Sequence, residues 1–436
     1  MHGTERVGDR TYDVRGITRV EGEGTLKVRV RAGVVEEARL EIFEAPRYFE
    51  RIIRGRTPDE VLDIVARICG ICPVAYQMTA VHAFEDLFGV EVDPEVRRLR
   101  RLMYCGEWLQ SHALHIYLLH APDFLGYPSA IDLAKDRRDL VLQGLAIKRA
   151  GNDVLAALGG RAIHPVTVRV GGFSRVPTRS ELAALRPGME AALGYAHATL
   201  SLVQTVSAPS FERDASFLAL RHPTDYPMNE GRLASSTGLD VDARQWDTVF
   251  HEEQVPWSHA LQARDTDGHA YLLGPSARMA LDSGTLHPLA AEALRSSGLL
   301  EGIRRNPFLS IAARAIELIN VCAEGLDLID AYRLPSMPQV PWTSRPGVAA
   351  WSTEAPRGLL FHRYEVDETG RVAQCRIVPP TSQNQVAIER DLALYAPRVL
   401  DLPHAEGTLR LEQLVRSYDP CISCATHFLD VEVDRQ

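Results

Sequence analysis

At 436 residues and a net charge of −9, the chain has the composition of an ordinary globular protein and lacks the basic excess that nucleic-acid binding requires. No segment approaches the ~20 unbroken apolar residues of a membrane-spanning helix, and the polar N-terminus, MHGTERVGDRTYDVRG, has no apolar secretion core, which points to the cytoplasm. Seven cysteines, with Cys105, Cys322 and Cys375 standing singly, make no disulfide framework and suit a reducing compartment where thiols serve metal or redox chemistry.

Along the chain, Arg19-Val20-Glu21-Gly22-Glu23-Gly24 carries glycines that permit close backbone approach. It leads into an alternating stretch, Leu26, Val28, Val30, then Ala38, Leu40 and Ile42 about an Ala32-Gly33 turn, which predicts a β-hairpin with one buried face. Thr57-Pro58-Asp59-Glu60 predicts a capped helix start. Val61, Ile64, Val65 and Ile68 continue one apolar face, so Cys69 falls on the last turn, with Gly70 ending the helix and Cys72 just beyond. Asp93-Pro94 opens a longer helix to about His120, stopped by Pro122-Asp123. Further helices are expected at 136–158, 178–206 and 309–331.

Gly159 to Gly172 is a glycine-rich turn without phosphate-loop spacing. The run 334–346 is a proline-rich connector, and 359–377 reads as a second hairpin about Asp367 to Gly370, ahead of Pro379-Pro380-Thr381-Ser382. The pattern is helix-rich α+β, without the regular alternation of a doubly wound sheet.

The chemistry-bearing residues are two C-x-x-C pairs, Cys69/Cys72 and Cys421/Cys424. Four thiolates make a soft-metal site. Structural zinc sites hold their pairs about 15–20 residues apart, whereas these stand near opposite ends of the chain, and a thioredoxin-like exchange motif needs one pair in a compact βαβ unit. Spacing therefore favours a buried metal site, with zinc the default metal. Thiolates alone do not select nickel.

Arg67-Ile68-Cys69-Gly70-Ile71-Cys72 together with Asp419-Pro420-Cys421-Ile422-Ser423-Cys424-Ala425-Thr426-His427 resembles the paired motifs of the nickel–iron hydrogenase large subunit. The resemblance implies one α+β, predominantly helical domain over 1–436, with a long-helix bundle core and peripheral antiparallel β-hairpins. Its parts would be an N-terminal hairpin region (1–45), a helical core (46–333), an extended and β region (334–400), a ligand segment (401–427) and a tail, 428–436, removed on maturation by an endopeptidase.

Carried over residue by residue, Cys69 and Cys421 would be terminal nickel ligands, and Cys72 and Cys424 would bridge nickel to an iron bearing one carbon monoxide and two cyanides. Glu21, in Arg-Val-Glu-Gly, would relay protons. Glu50 and His427 would hold a structural magnesium ion, which suits a hard, oxygen-seeking cation. Arg357 in Pro356-Arg357-Gly358 would overhang the open metal position, and Pro380-Thr381 would face a cyanide. His164 matches a residue on the side of the partner subunit, and His112, His115 and His120 a helix beneath the site. Tyr76 stands where many members have histidine, and Ser111 where many carry an aspartate that faces the arginine.

The implied reaction is reversible H2 oxidation. The three remaining cysteines cannot hold a four-cysteine cluster, so electrons would leave through an iron–sulfur small subunit and, in the cytoplasmic NAD(P)-linked branch that the wording most resembles, through flavin and iron–sulfur subunits. Two alternatives remain: a metal-free relative acting at the quinone site of respiratory complex I, against which the four cysteines argue, and a noncatalytic zinc-stapled interaction protein.

Overall fold

Four long helices, Pro94–Ala113, Arg138–Gly159, Arg186–Thr205 and Ser310–Asp330, pack on one another to form the frame, and the computed structural model describes residues 9–45 and 47–426 around and including them. Helix Pro94–Ala113 begins as expected, the Asp93 carboxylate accepting the Glu95 amide at 2.8 Å with Pro94 in the first turn. It crosses Arg138–Gly159 at a glycine pair. A Cβ on Gly151 would lie 2.4 Å from the Gly106 carbonyl oxygen, so a side chain there would force these two buried helices apart. Helix Ser310–Asp330 is buried along nearly its whole length.

Several boundaries differ from expectation, each for a local reason. The capping box at Thr57 is present, but its helix closes at Val65, the Arg67 and Ile68 amides turning back onto Ile64 and Val65, so Cys69 lies beyond it. Cys72 instead heads the next helix, Pro73–Phe88, because Pro73 suits a first turn. The helix from Pro94 does not stop at Pro122. It widens into a π-helical segment, Leu114–His120, and re-forms as Ala121–Leu125 with Pro122 harmlessly in the first turn. Pro187 likewise splits the 178–206 segment into Arg179–Ala183 and Arg186–Thr205.

The N-terminal hairpin pairs Gly24–Arg31 with Val34–Ile42 about Ala32 (φ 48°) and Gly33 (φ 77°), and Arg10–Arg15 adds a third antiparallel strand. The second hairpin, Gly358–Val366 with Val372–Val378, gains an unanticipated strand, Gly347–Ala355, which is buried on both faces at its C-terminal end and so shows no alternation there. The region 334–400 is not extended throughout, since Pro380–Tyr395 is a helix; His404–Ser417 is another in the following segment. Small antiparallel sheets around 218–265 were also unanticipated. No described helix is long and apolar enough to cross a membrane.

Candidate metal centre

Two chain segments build the centre. Cys69 sits in the loop after Pro58–Val65 and Cys72 in the N-cap position of Pro73–Phe88; Cys421 occupies the same position before the short helix Ile422–Ala425, which carries Cys424. The four sulfurs lie within 4.8 Å of one another, and all four residues are buried. Measured pairs are 3.5 Å for Cys69–Cys421, 3.8 Å for Cys72–Cys424 and 2.9 Å for Cys421–Cys424. The two segments meet because Arg47 donates to the carbonyls of Ile68 (2.7 Å) and Ser423 and its amide donates to Thr426 (2.7 Å). Gly22 admits the C-terminal segment: with φ at +85°, its Cβ would fall 2.7 Å from Ile422 Cβ.

Protonation is uneven across the sulfurs. Hydrogen bonds from Cys421, then Cys424 and Cys72, hold Cys69 well below the usual thiol value. The Cys421 thiol is pushed well above it by Cys424, then Cys69 and Cys72. Four thiols this close cannot all ionise without a cation among them. A buried all-sulfur donor set of this kind fits a soft metal.

Around the sulfurs, Glu21 Oε2 lies 3.1 Å from Cys421 Sγ and 3.1 Å from the Ser423 amide, while the Glu21 carbonyl accepts the Ile422 amide at 2.9 Å. Thr381 Oγ1 accepts the Cys421 amide at 3.0 Å, with Pro380 in the first turn of its helix. Arg357, 2% exposed, donates from Nε to the Asp419 carbonyl (2.8 Å) and from Nη2 to the Asp419 carboxylate (3.1 Å). Asp419 thus supplies the carboxylate partner that Ser111 does not. Tyr76 is fully buried; burial first, then the charge of Cys424, Cys72 and Cys69, push its hydroxyl well above the usual value.

Of the other predicted residues, Glu50 accepts the Ile377 amide through Oε1 at 2.7 Å; His427 and the tail 428–436 lie outside the described residues. His164 is held by the Ala66 carbonyl at 2.6 Å, in a left-handed backbone conformation (φ 53°). His112 meets Glu317 at 2.8 Å, His115 the Arg416 carbonyl at 2.8 Å, and His120 the Ser417 hydroxyl at 3.4 Å; burial holds all three below the usual histidine value.

Sequence reasoning gave no role to Asp419, Arg47 or Glu107. The first stood inside a motif and could have been found; Glu107, a fully buried carboxylate accepting the Val74 and Ala75 amides at 2.6 and 3.2 Å, carries no local signal.

Comparison with known proteins decides what this pocket belongs to. A family model described as nickel-dependent hydrogenase matches residues 47–141 and 311–427, spanning both cysteine pairs. Sulfhydrogenase 1 subunit alpha of Pyrococcus furiosus is 31% identical over 416 residues, 94% of this chain and 96% of that protein. The chain belongs to the nickel-dependent hydrogenase family. It is a hydrogenase large subunit, an oxidoreductase acting on H2. The beta subunit of the NAD-reducing hydrogenase HoxS of Cupriavidus necator is 27% identical, covering 95% of this chain and 94% of that protein. The large-subunit fold agrees: a solved NAD+-reducing NiFe hydrogenase in the H2-reduced state superposes with a TM-score of 0.86 at 28% identity, covering 96% of this hydrogenase and 100% of that chain.

Proposed function

We propose that Cys69 and Cys421 hold nickel terminally and that Cys72 and Cys424 bridge it to an iron carrying one carbon monoxide and two cyanides. The observation that supports this most is the convergence of four sulfurs from distant segments in one buried pocket, with a single carboxylate, Glu21, against Cys421. Bound there, the group supplies heterolytic cleavage of H2, so that H2 ⇌ 2 H+ + 2 e− runs either way.

The chain's own part is proton handling and orientation. Cys421 Sγ and Glu21 Oε2, 3.1 Å apart, are within direct transfer distance. Because Glu21 also accepts the Ile422 and Ser423 amides, the relay stays in register with the sulfur it serves. Arg357, always charged, gives Nε and Nη2 to Asp419, which fixes the direction of the guanidinium and leaves Nη1 as the donor it would present to the bound group. Thr381 spends its oxygen on the Cys421 amide, which leaves its hydroxyl proton to donate to a cyanide; Pro380 completes that wall. Glu50 and His427 hold the magnesium ion.

Electrons leave through an iron–sulfur small subunit and pass through flavin and iron–sulfur subunits to NAD(P), in the cytoplasm. Cys105, Cys322 and Cys375 are buried and too few for a four-cysteine cluster within this chain. A maturation endopeptidase removes residues 428–436.

The test is an infrared spectrum of the purified complex with metal analysis of the same sample. Carbon monoxide and cyanide bands with about one nickel per chain support the reading. Stoichiometric zinc without bands, in protein made beside its maturation machinery, overturns it.

A further inference from the structure

The first N–H groups of a helix lack intrahelical partners, and the side chain in the N-cap position ordinarily accepts those of the second and third residues. Cys72 occupies that position before Pro73–Phe88, yet its side chain makes no capping hydrogen bond. Pro73 has no N–H, and the two that need an acceptor, on Val74 and Ala75, are both taken by the Glu107 carboxylate at 2.6 and 3.2 Å. Glu107 comes from helix Pro94–Ala113 and is fully buried. Three residues on, on the same helix face, Gln110 donates its amide to the Ile71 carbonyl, between the two cysteines. At the other pair Cys421 also precedes its helix without capping it; there the Glu21 carbonyl accepts the Ile422 amide and the Glu21 carboxylate the Ser423 amide.

From this we infer that Glu107 is a positioning residue for the reaction: by capping helix Pro73–Phe88 from outside, it releases the Cys72 sulfur to the metal. A thiolate left in the N-cap position with free amides ahead of it would turn back to accept them, spending lone pairs and drawing the sulfur out of the pocket. Glu107 prevents this by accepting both amides itself. Gln110 fixes the loop, so the pair clamps the first C-x-x-C on both sides. The inference rests on the reading of Cys72 as a metal ligand.

The experiment compares infrared spectra, nickel content and thermal unfolding of the complete complex carrying wild-type, Glu107→Gln and Gln77→Leu subunits. The last cuts bonds of the same helix to Leu62 and Pro165 without touching the clamp. Wild-type complex without bands and nickel refutes the metal assignment itself. Given a normal wild type, shifted carbon monoxide and cyanide bands in Glu107→Gln but not in Gln77→Leu support the clamp, as does loss of nickel from a Glu107→Gln chain that still folds. Unshifted bands at full nickel overturn it, and so does an equal shift in Gln77→Leu. If Glu107→Gln does not fold, Gln110→Leu carries the same comparison: displaced bands support the clamp and wild-type bands overturn it.

Discussion

Two fully buried polar regions share helix Pro94–Ala113, and they are finished to different degrees. Around His112, the side chains pair among themselves: Arg278 donates to Glu317 at 2.7 and 2.9 Å and to Glu354 at 2.8 Å, lies 4.2 Å over the Trp108 ring, and Glu317 also meets His112 and Tyr226 at 2.8 Å. Around Cys69 and Cys421, the sulfurs meet one another, a few amides and one carboxylate. Desolvated anionic donors are stable only with a cation or a proton among them. The first region is therefore held by ion pairs that the chain supplies on both sides, and the second is built around something the chain does not encode.

That contrast can be broken from either side. Cys69→Ser removes a donor from the unfinished region, so nickel and H2 oxidation should both be lost while circular dichroism stays native; a variant that retains full activity would contradict the four-sulfur site. Glu21→Gln keeps the sulfurs but takes away the proton acceptor. Turnover should fall roughly 10²–10⁴-fold with the infrared bands still present, and H2/D2 exchange assays on the same sample would show whether proton movement is the step that slowed. In the finished region, Glu317→Gln leaves Arg278 with only one carboxylate and should cost about 3–5 kcal/mol, read as a lower urea midpoint.

The smallest effect concerns Glu354. Burial, against Arg278 and the Leu220 amide, pushes its carboxyl up to about 7 from 4.5. The folded chain keeps this proton to higher pH than the unfolded chain does, so its contribution to stability is full below about 4.5 and is lost as pH rises through about 7. Glu354→Gln should flatten the urea midpoint across that window; an unchanged slope would show that another group titrates there.

What could be read from sequence follows the same division between local and distant causes. The Thr57 capping box, the Asp93 cap and the Ala32-Gly33 turn are decided by neighbours in the chain, and they stand where they were expected. Helix Pro380–Tyr395 escaped because its first two turns bury polar side chains, Thr381 to Gln385, leaving no apolar stripe to give a period. The four cysteines were readable as a set because two spaced motifs advertise them. Asp419 and Glu107 were not, because their importance lies in what they meet: a guanidinium 62 positions away, and amides 32 and 33 positions away. The histidines at 112, 115 and 120 looked alike in sequence, but the fold gives each a different partner.

The joining of Cys69 to Cys421 also sets a clock. The two are 352 positions apart, and at ~5–20 residues per second roughly 20–70 s of synthesis separate them. Through that interval the first C-x-x-C exists with its helices made and its counterpart unwritten, free to take up whatever thiophilic ion or oxidant the surroundings offer. The four-sulfur pocket is complete only once the last segment is made and Gly22 admits Ile422 beside it.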